Sequence, residues 1–111
     1  PTDTTIYESP EIPAEFTKKM TWREFLVRNL KAATPVDNGA PDGVYYVIIM
    51  FVVNKDGSLE RFKPLTNHGY GMEDETIRVL KLAPKWQPAK MNNKPVRAFH
   101  FQKMTFLVSS E

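Results

Sequence analysis

The sequence predicts an α+β fold in which two helices pack on one face of a three-stranded antiparallel sheet with the strand order 2-1-3. Three observations predict it: a ten-residue apolar run at 44–53, a hairpin signal directly after the run, and one segment with helical spacing of apolar residues on each side. The chain has 111 residues, of which 41% are hydrophobic, enough for one core but not for two. We therefore expect a single domain at 21–111.

Residues 1–20 are expected to form an extended linker or a loosely docked arm. They are rich in proline and acidic residues and show no sustained periodicity, which is typical of linkers. The chain begins at Pro1 without a signal-peptide pattern. We therefore expect it to be a piece of a longer protein whose targeting segment or anchor has been removed.

The first helix is predicted to start after Thr21, because Thr21 and Glu24 have the spacing of a capping box. Pro35 prevents this helix from continuing much beyond Ala33. The apolar residues on one face of the helix are Trp22, Phe25, Leu26 and Leu30.

The run at 44–53 is predicted to be the central strand. It is rich in β-branched and aromatic residues without polar alternation, so it is either covered on both faces or flanked on both edges. The segment 54–58 is a strong hairpin signal, since Gly57 can adopt the left-handed conformation that closes a short turn. Pro64 lies within the next run, which makes that run an edge strand.

The second helix is predicted from its charge order, with acidic residues at 73–75 and basic residues at its end, because this order complements the helix dipole. Its buried stripe is predicted to consist of Met72, Ile77 and Leu80, and Pro84 terminates it.

The third strand is predicted at 95–108. Phe99 and Phe101 share one parity while Met104 and Phe106 share the other, so either both faces are covered or a bulge lies near Gln102. A right-handed crossover through the second helix would place this strand beside the central one.

Several function classes have no support in the sequence. The absence of cysteine excludes disulfides, thiolate catalysis and thiolate zinc sites. We expect His68 and His100 to have surface or packing roles. The acidic residues at 73–75 are expected to complement the helix dipole and not to act as a catalytic carboxylate pair. Trp86 is expected to be a core residue. No apolar run reaches the roughly 18 to 20 residues of a membrane span. We expect no enzyme activity, no cofactor and no metal.

The basic residues are unevenly distributed, although the net charge is only +2. No acidic residue lies between Glu75 and Glu111. Such an interval is usually a solvated face, and otherwise a patch that steers an acidic peptide or a nucleic acid. Its basic residues are Arg78, Lys81, Lys85, Lys90, Lys94, Arg97 and Lys103.

Five motifs follow one another along the chain: Phe51-Val52-Val53-Asn54-Lys55-Asp56-Gly57, Gly69-Tyr70-Gly71-Met72-Glu73-Asp74-Glu75, Ala83-Pro84-Lys85-Trp86-Gln87-Pro88-Ala89, Asn93-Lys94-Pro95-Val96 and Met104-Thr105-Phe106-Leu107-Val108. This succession resembles the C-terminal domain of the TonB energy-transducer family over about 20–109. The Gly-Tyr-Gly-Met spelling is similar to versions found in Bacteroidetes. Family members often have an aromatic residue before the proline that follows the first helix, where this chain has Ala32-Ala33-Thr34-Pro35, and Ala89 stands where a glycine is common.

This resemblance implies a periplasmic domain that is anchored to the inner membrane in the full-length protein. It would couple a proton-driven motor complex to outer-membrane TonB-dependent transporters by binding their TonB-box peptide. The expected site is the free edge of the third strand, to which the peptide would add as a further strand by β-augmentation. Arg97 and Lys103 are expected to attract the acidic end of the peptide. A proline at Gln102 is expected to disrupt binding. The same edge could form a homodimer. The expected site residues are Val96, Arg97, Ala98, Phe99, His100, Phe101, Gln102, Lys103, Met104 and Thr105.

Other functions remain open at this point. The domain could be a sensor or interaction module appended to a membrane zinc peptidase, a stand-alone periplasmic protein, or a purely structural dimerisation unit. The basic interval together with Phe99 and Phe101 is also compatible with a single-strand nucleic-acid binder, although we expect no nucleic-acid partner. Binding of a labelled oligonucleotide at low salt, with a steep salt dependence, would identify that class.

Overall fold

The computed structural model describes residues 5–16 and 20–109. In chain order, its elements are β1 (Ile6–Tyr7), α1 (Trp22–Asn29), α2 (Thr34–Asp37), β2 (Gly43–Val53), β3 (Leu59–Pro64), α3 (Met72–Lys81), β4 (Ala89–Met91) and β5 (Lys94–Val108). The two predicted helices correspond to α1 and α3, and the three predicted strands to β2, β3 and β5.

The sheet has the order β1-β5-β2-β3, and β4 pairs with β5. The central position of β2 between antiparallel β3 and β5 confirms the predicted 2-1-3 order. The prediction of only three antiparallel strands is wrong, because the sheet also includes β4 and β1, and β1 is parallel to β5. These two strands have three and two residues, too few to show a periodic pattern in the sequence.

The central strand β2 pairs with β5 from Gly43↔Val108 to Val53↔Ala98 without a register shift. Its odd-numbered residues from Val47 to Val53 are fully buried beneath the helices. The strand is therefore flanked on both edges, which was one of the two predicted alternatives.

Most of the opposite face of the sheet is open, although Val52 at one end of it is fully buried. This open face explains the two parities of the third strand. Tyr46 is 51% exposed and Phe101 is 54% exposed on this face. Both predicted explanations are therefore wrong: this face is uncovered, and β5 has no bulge near Gln102. The irregularity lies between β2 and β3, opposite Arg61, whose φ is 58°.

The predicted capping box is confirmed at α1. Thr21 Oγ1 accepts from the Glu24 N–H at 3.0 Å, and Glu24 Oε1 accepts from the Thr21 N–H at 3.2 Å. The helix ends at Asn29, and the one-turn helix α2 begins at Thr34 with Pro35 in its first turn, a position where the missing proline N–H costs nothing.

The acidic start of α3 does more than complement the helix dipole. Both Glu73 and Glu75 are only 7% exposed. The Glu73 carboxylate accepts hydrogen bonds from Thr66 Oγ1 and from the N–H groups of His68 and Gly69. The interpretation that the dipole fully explains these residues is wrong, because they are buried acceptors that fix neighbouring loops.

The second acceptor, Glu75, joins two segments that are distant in sequence. Its Oε2 accepts from the Lys31 N–H at 2.7 Å, and both of its oxygens accept from Arg78 at 2.7 Å. The Arg78 hydrogen bonds are the main reason that the pKa of Glu75 is lowered. The linker between α1 and α2 is therefore held against α3.

We expect acid to destabilise the domain through Glu73. Burial alone would raise the pKa of Glu73, but the hydrogen bonds from His68, Thr66 and Gly69 together lower it below its ordinary value of 4.5. Because the folded pKa is the lower one, this stabilisation is present above pH 4.5 and is lost as the pH falls through the folded pKa. Urea unfolding of Glu73→Gln should depend less on pH below 4.5 than that of the wild type. Asp74→Asn, at an exposed position, is the control and should keep the pH dependence of the wild type. The prediction would be contradicted if the stability of Glu73→Gln fell with acid as steeply as that of the wild type.

An aromatic cluster closes the core at the exit of α3. Trp86 is 4% exposed, and its ring contacts Phe51, Trp22 and His100 with centroids 4.8 to 5.8 Å apart. The prediction that Trp86 is a core residue is confirmed. Phe16 also contacts the Trp86 ring at 6.3 Å, so the end of the arm packs on this cluster.

The two histidines have packing environments. His68 Nε2 lies 2.8 Å from the carbonyl oxygen of Tyr46, and its ring packs edge-on against Tyr45. His100 contacts Phe51 and Trp86, and burial lowers its pKa. Within residues 5–16 and 20–109, no cluster of three or more potential metal ligands is present.

Candidate functional site

The N-terminal arm occupies the beginning of the outer edge of β5. Ala98 pairs with Val53 of β2 on one side, so Tyr7 of β1, which also pairs with Ala98, must lie on the other side. The arm then passes the β4–β5 turn, where Glu11 Oε1 accepts from the Asn92 N–H at 2.6 Å. Beyond the turn it pairs along the β4 segment through the bridges Ile12↔Lys90 and Glu15↔Gln87.

The rest of the outer edge, 99–108, has no strand partner among the residues that the structure describes. Its hydrogen-bonding direction follows from Ile48, whose N–H donates to Thr66 Oγ1 and whose carbonyl accepts from the Leu65 N–H, both on the β3 side. Backbone groups alternate between the two sides of a strand, so Ile49, the partner of Gln102, points toward β5. In β5, even-numbered residues therefore bond to β2 and odd-numbered residues point outward.

The outward-pointing residues form a row of backbone donors and acceptors. The geometry of Gln102 supports this assignment, because its Nε2 donates to the carbonyl oxygen of Lys103 at 2.8 Å from outside the sheet. Such a row is a template for pairing with another extended chain. Its residues are Phe99, Phe101, Lys103, Thr105 and Leu107.

The ten predicted site residues fall into two groups. Arg97 and Ala98 pair with β1, so this end of the edge is occupied, and Val96 before them pairs with β4. The remaining residues, from Phe99 to Thr105, line the free part. Sequence reasoning missed this division because nothing in the arm's composition indicates that it pairs with β5.

The two basic residues expected at the site have different surroundings. Arg97 donates to Asn54 Oδ1 at 3.0 Å and lies 3.7 Å from Glu60, so its guanidinium is engaged within the domain. Lys103 Nζ lies 4.5 Å from the ring centroid of Tyr46 on the open face, next to the free edge. Of the two, Lys103 is the better placed to attract an acidic ligand.

The acid-free interval does not form one basic patch. Arg78 contacts Glu75 at 2.7 Å, and Lys85 lies 3.8 Å from Asp56. These basic residues are directed toward acidic residues from earlier parts of the chain. In the sequence this interval contains no acidic residue, but in the folded domain acidic residues that precede it lie next to these basic residues.

A groove between α1 and the free edge is the feature that sequence reasoning missed most completely. It has a volume of about 450 Å³ and is lined by residues 102–105 of β5 and by one side of α1. At one end, Gln102 Oε1 accepts from Trp22 Nε1 at 2.6 Å. Gln102 therefore links α1 to the outward carbonyl of Lys103. On the helix side the groove is lined by the α1 residues Trp22, Arg23, Leu26 and Val27 and by Leu30, the residue that caps the helix.

Comparison with known proteins identifies a family. The sequence model of the family described as Gram-negative bacterial TonB protein C-terminal matches residues 45–106. The match covers more than half of the chain and runs from β2 into β5. No curated protein matches this chain. Among the residues placed in the structure, no helix has the length and apolar character needed to cross a membrane.

Proposed function

Because this chain belongs to the TonB C-terminal family, we propose that it binds the TonB-box peptide of an outer-membrane TonB-dependent transporter by strand addition to β5. The family consists of non-catalytic transducer and interaction domains. The observation that carries the proposal is the row of outward backbone groups from Phe99 to Thr105, next to an edge segment that β1 already occupies. In β-augmentation, these main-chain bonds provide affinity and alternate side chains provide specificity.

The setting of this proposal is the periplasm, where TonB C-terminal domains of Gram-negative bacteria function. We propose that the full-length protein is anchored in the inner membrane and couples the proton motive force there to transport across the outer membrane. The proton-driven motor complex would act on the part of the protein that precedes the arm. The arm would then connect the motor to the peptide-binding edge.

The direct test is titration of the ¹⁵N-labelled chain with N-terminal peptides of the TonB-dependent transporters encoded in the same genome. We expect the largest amide shifts at Phe99, Phe101, Lys103 and Thr105, since their N–H groups point outward. Shifts confined to the exposed face of α3, or no binding by any of the peptides, would overturn the proposal.

A proline at Lys103 should reduce peptide affinity at least about tenfold, because it removes an outward N–H from the middle of the free edge. The Gln102→Pro variant that the sequence suggested is not suitable, because the Gln102 N–H points toward β2 and its loss would weaken the sheet itself. Lys103→Ala is the matched control: it removes the charge but keeps the N–H, so it should mainly slow association, and less so at high salt. Calorimetry on both variants measures the difference. Equal affinities for Lys103→Pro and Lys103→Ala would argue against backbone pairing.

We also propose that, without a peptide, two copies can pair through the same edge, because an unpaired apolar edge is a template for its own copy. Sedimentation velocity should then show a dimer fraction that grows with concentration up to about 1 mM and that Lys103→Pro reduces. A strict monomer over that range would exclude this pairing.

A further inference from the structure

The groove between α1 and β5 adjoins the part of the edge that the proposed peptide would use. Its β5 wall, 102–105, includes Lys103 and Thr105, whose backbone groups point outward. A strand added there would lie about 4.8 Å from β5. Its side chains would alternate between the open face of the sheet and the helix side. Every second side chain of the peptide would therefore face α1.

Apart from Arg23, the α1 wall of the groove is apolar, and part of it is uncovered. Leu26 is buried, but Val27 is 68% exposed although it lies on a helix that packs against the domain. On the β5 side, Met104 contributes a half-buried apolar side chain. An aliphatic side chain from the added strand would remove these surfaces from water, which is worth about 25 cal/mol per Å² of apolar area.

The charge around the groove favours an acidic neighbour for that side chain. Arg23 lines the groove on the helix side and is exposed, whereas the Lys103 ammonium lies over the Tyr46 ring on the open face of the sheet. The acidic residue nearest in sequence, Glu24, is held in the capping box by Thr21. The rim is therefore basic toward an incoming strand.

We propose that this groove is the specificity subsite of the peptide edge. It takes one aliphatic side chain of the added strand, while Arg23 holds a carboxylate of the same strand at the rim. This inference rests on the proposed function and adds which side chains the edge selects. Gln102 would be displaced from the Lys103 carbonyl, because the peptide N–H replaces the bond that Gln102 Nε2 makes there.

The test uses a transporter N-terminal peptide that binds the chain, together with alanine substitutions at each of its positions. Val27→Asp should weaken binding about tenfold, the effect of spoiling one apolar side-chain pocket. Val36→Asp is the matched control, because Val36 is 50% exposed on α2 and does not line the groove, so its effect should stay within about twofold.

Two further comparisons identify what the groove holds. One aliphatic position of the peptide should lose affinity on change to alanine in the wild type but not in Val27→Asp, which is the signature of direct contact. Arg23→Gln should weaken binding about threefold for a peptide that carries its acidic residue, but not for the same peptide with that carboxylate changed to an amide. Arg28→Gln is the control and should show no such difference between the two peptides.

The outcomes separate this inference from the proposed function. One outcome would overturn the subsite and leave strand addition intact. In that outcome, Lys103→Pro abolishes binding, but Val27→Asp weakens it no more than Val36→Asp does. Uniform sensitivity across all peptide positions would also overturn it. If no transporter peptide binds, or if binding is insensitive to Lys103→Pro, strand addition is wrong and the subsite is wrong with it.

Discussion

Replacing Phe51 with alanine should lower the free energy of unfolding by about 3 to 5 kcal/mol. Phe51 is fully buried in the middle of β2, with ring centroids of Phe62, Trp86 and His100 within 5.8 Å. Truncation would leave a cavity between the sheet and the aromatic cluster. The rigid strand on one side and the large rings on the other would restrict its collapse.

The measurement is urea unfolding at neutral pH, with Phe101→Ala as the matched control. Phe101 is the same residue type on the neighbouring strand, but it is 54% exposed on the open face, so its truncation should cost less than about 1 kcal/mol. Ile49→Ala, also fully buried, should cost about 2 to 5 kcal/mol. If Phe51→Ala and Ile49→Ala both cost no more than Phe101→Ala, β2 does not form the core.

Replacing Gly57 with alanine should destabilise the domain by about 3 kcal/mol or more. Gly57 has a φ of 88°, and a Cβ there would overlap the carbonyl oxygen of Trp86. The contact cannot easily relax, because the Trp86 N–H donates to the Gly57 carbonyl at 2.8 Å and the Gly57 N–H donates to Asn54 at 2.9 Å. The substitution would separate the hairpin from the segment that positions Trp86.

Gly69→Ala is the matched control for this prediction. Gly69 has a similar φ of 79°, but a Cβ there would meet nothing within 4 Å, so only the left-handed backbone cost of about 1 to 2 kcal/mol applies. Thermal or urea unfolding of the two variants side by side isolates the clash with Trp86. Equal losses of stability would mean that the hairpin moves freely away from Trp86.

The sequence predicts the parts of this fold that depend on local chemistry. The capping residues Thr21 and Glu24, the turn at Gly57 and the apolar run of β2 each stand within a few positions of the feature that they specify. The core role of Trp86 follows from its size and type. For this reason, the two longer helices α1 and α3, the three long strands and their order could be derived.

The candidate site was less predictable, because its parts are distant in sequence. Gln102 and Trp22 are 80 residues apart, and the arm residue Tyr7 pairs with Ala98 through backbone groups that every residue shares. The engagement of Arg97 by Glu60 likewise depends on the sheet register. A free edge on the third strand was therefore anticipated, whereas its occupied end and its neighbouring groove were not.

The pairing of β1 with β5 also determines how the domain would carry mechanical tension. β1 runs parallel to β5 and ends at Ala98, just before the free edge begins, so an added peptide would continue along the same strand. A pull on the arm and an opposing pull on the peptide would meet on β5 as shear along the strand axis. Shear loads many backbone hydrogen bonds together instead of peeling them one by one, and β5 is paired with all eleven residues of β2. The force would pass through the sheet without stretching the helices.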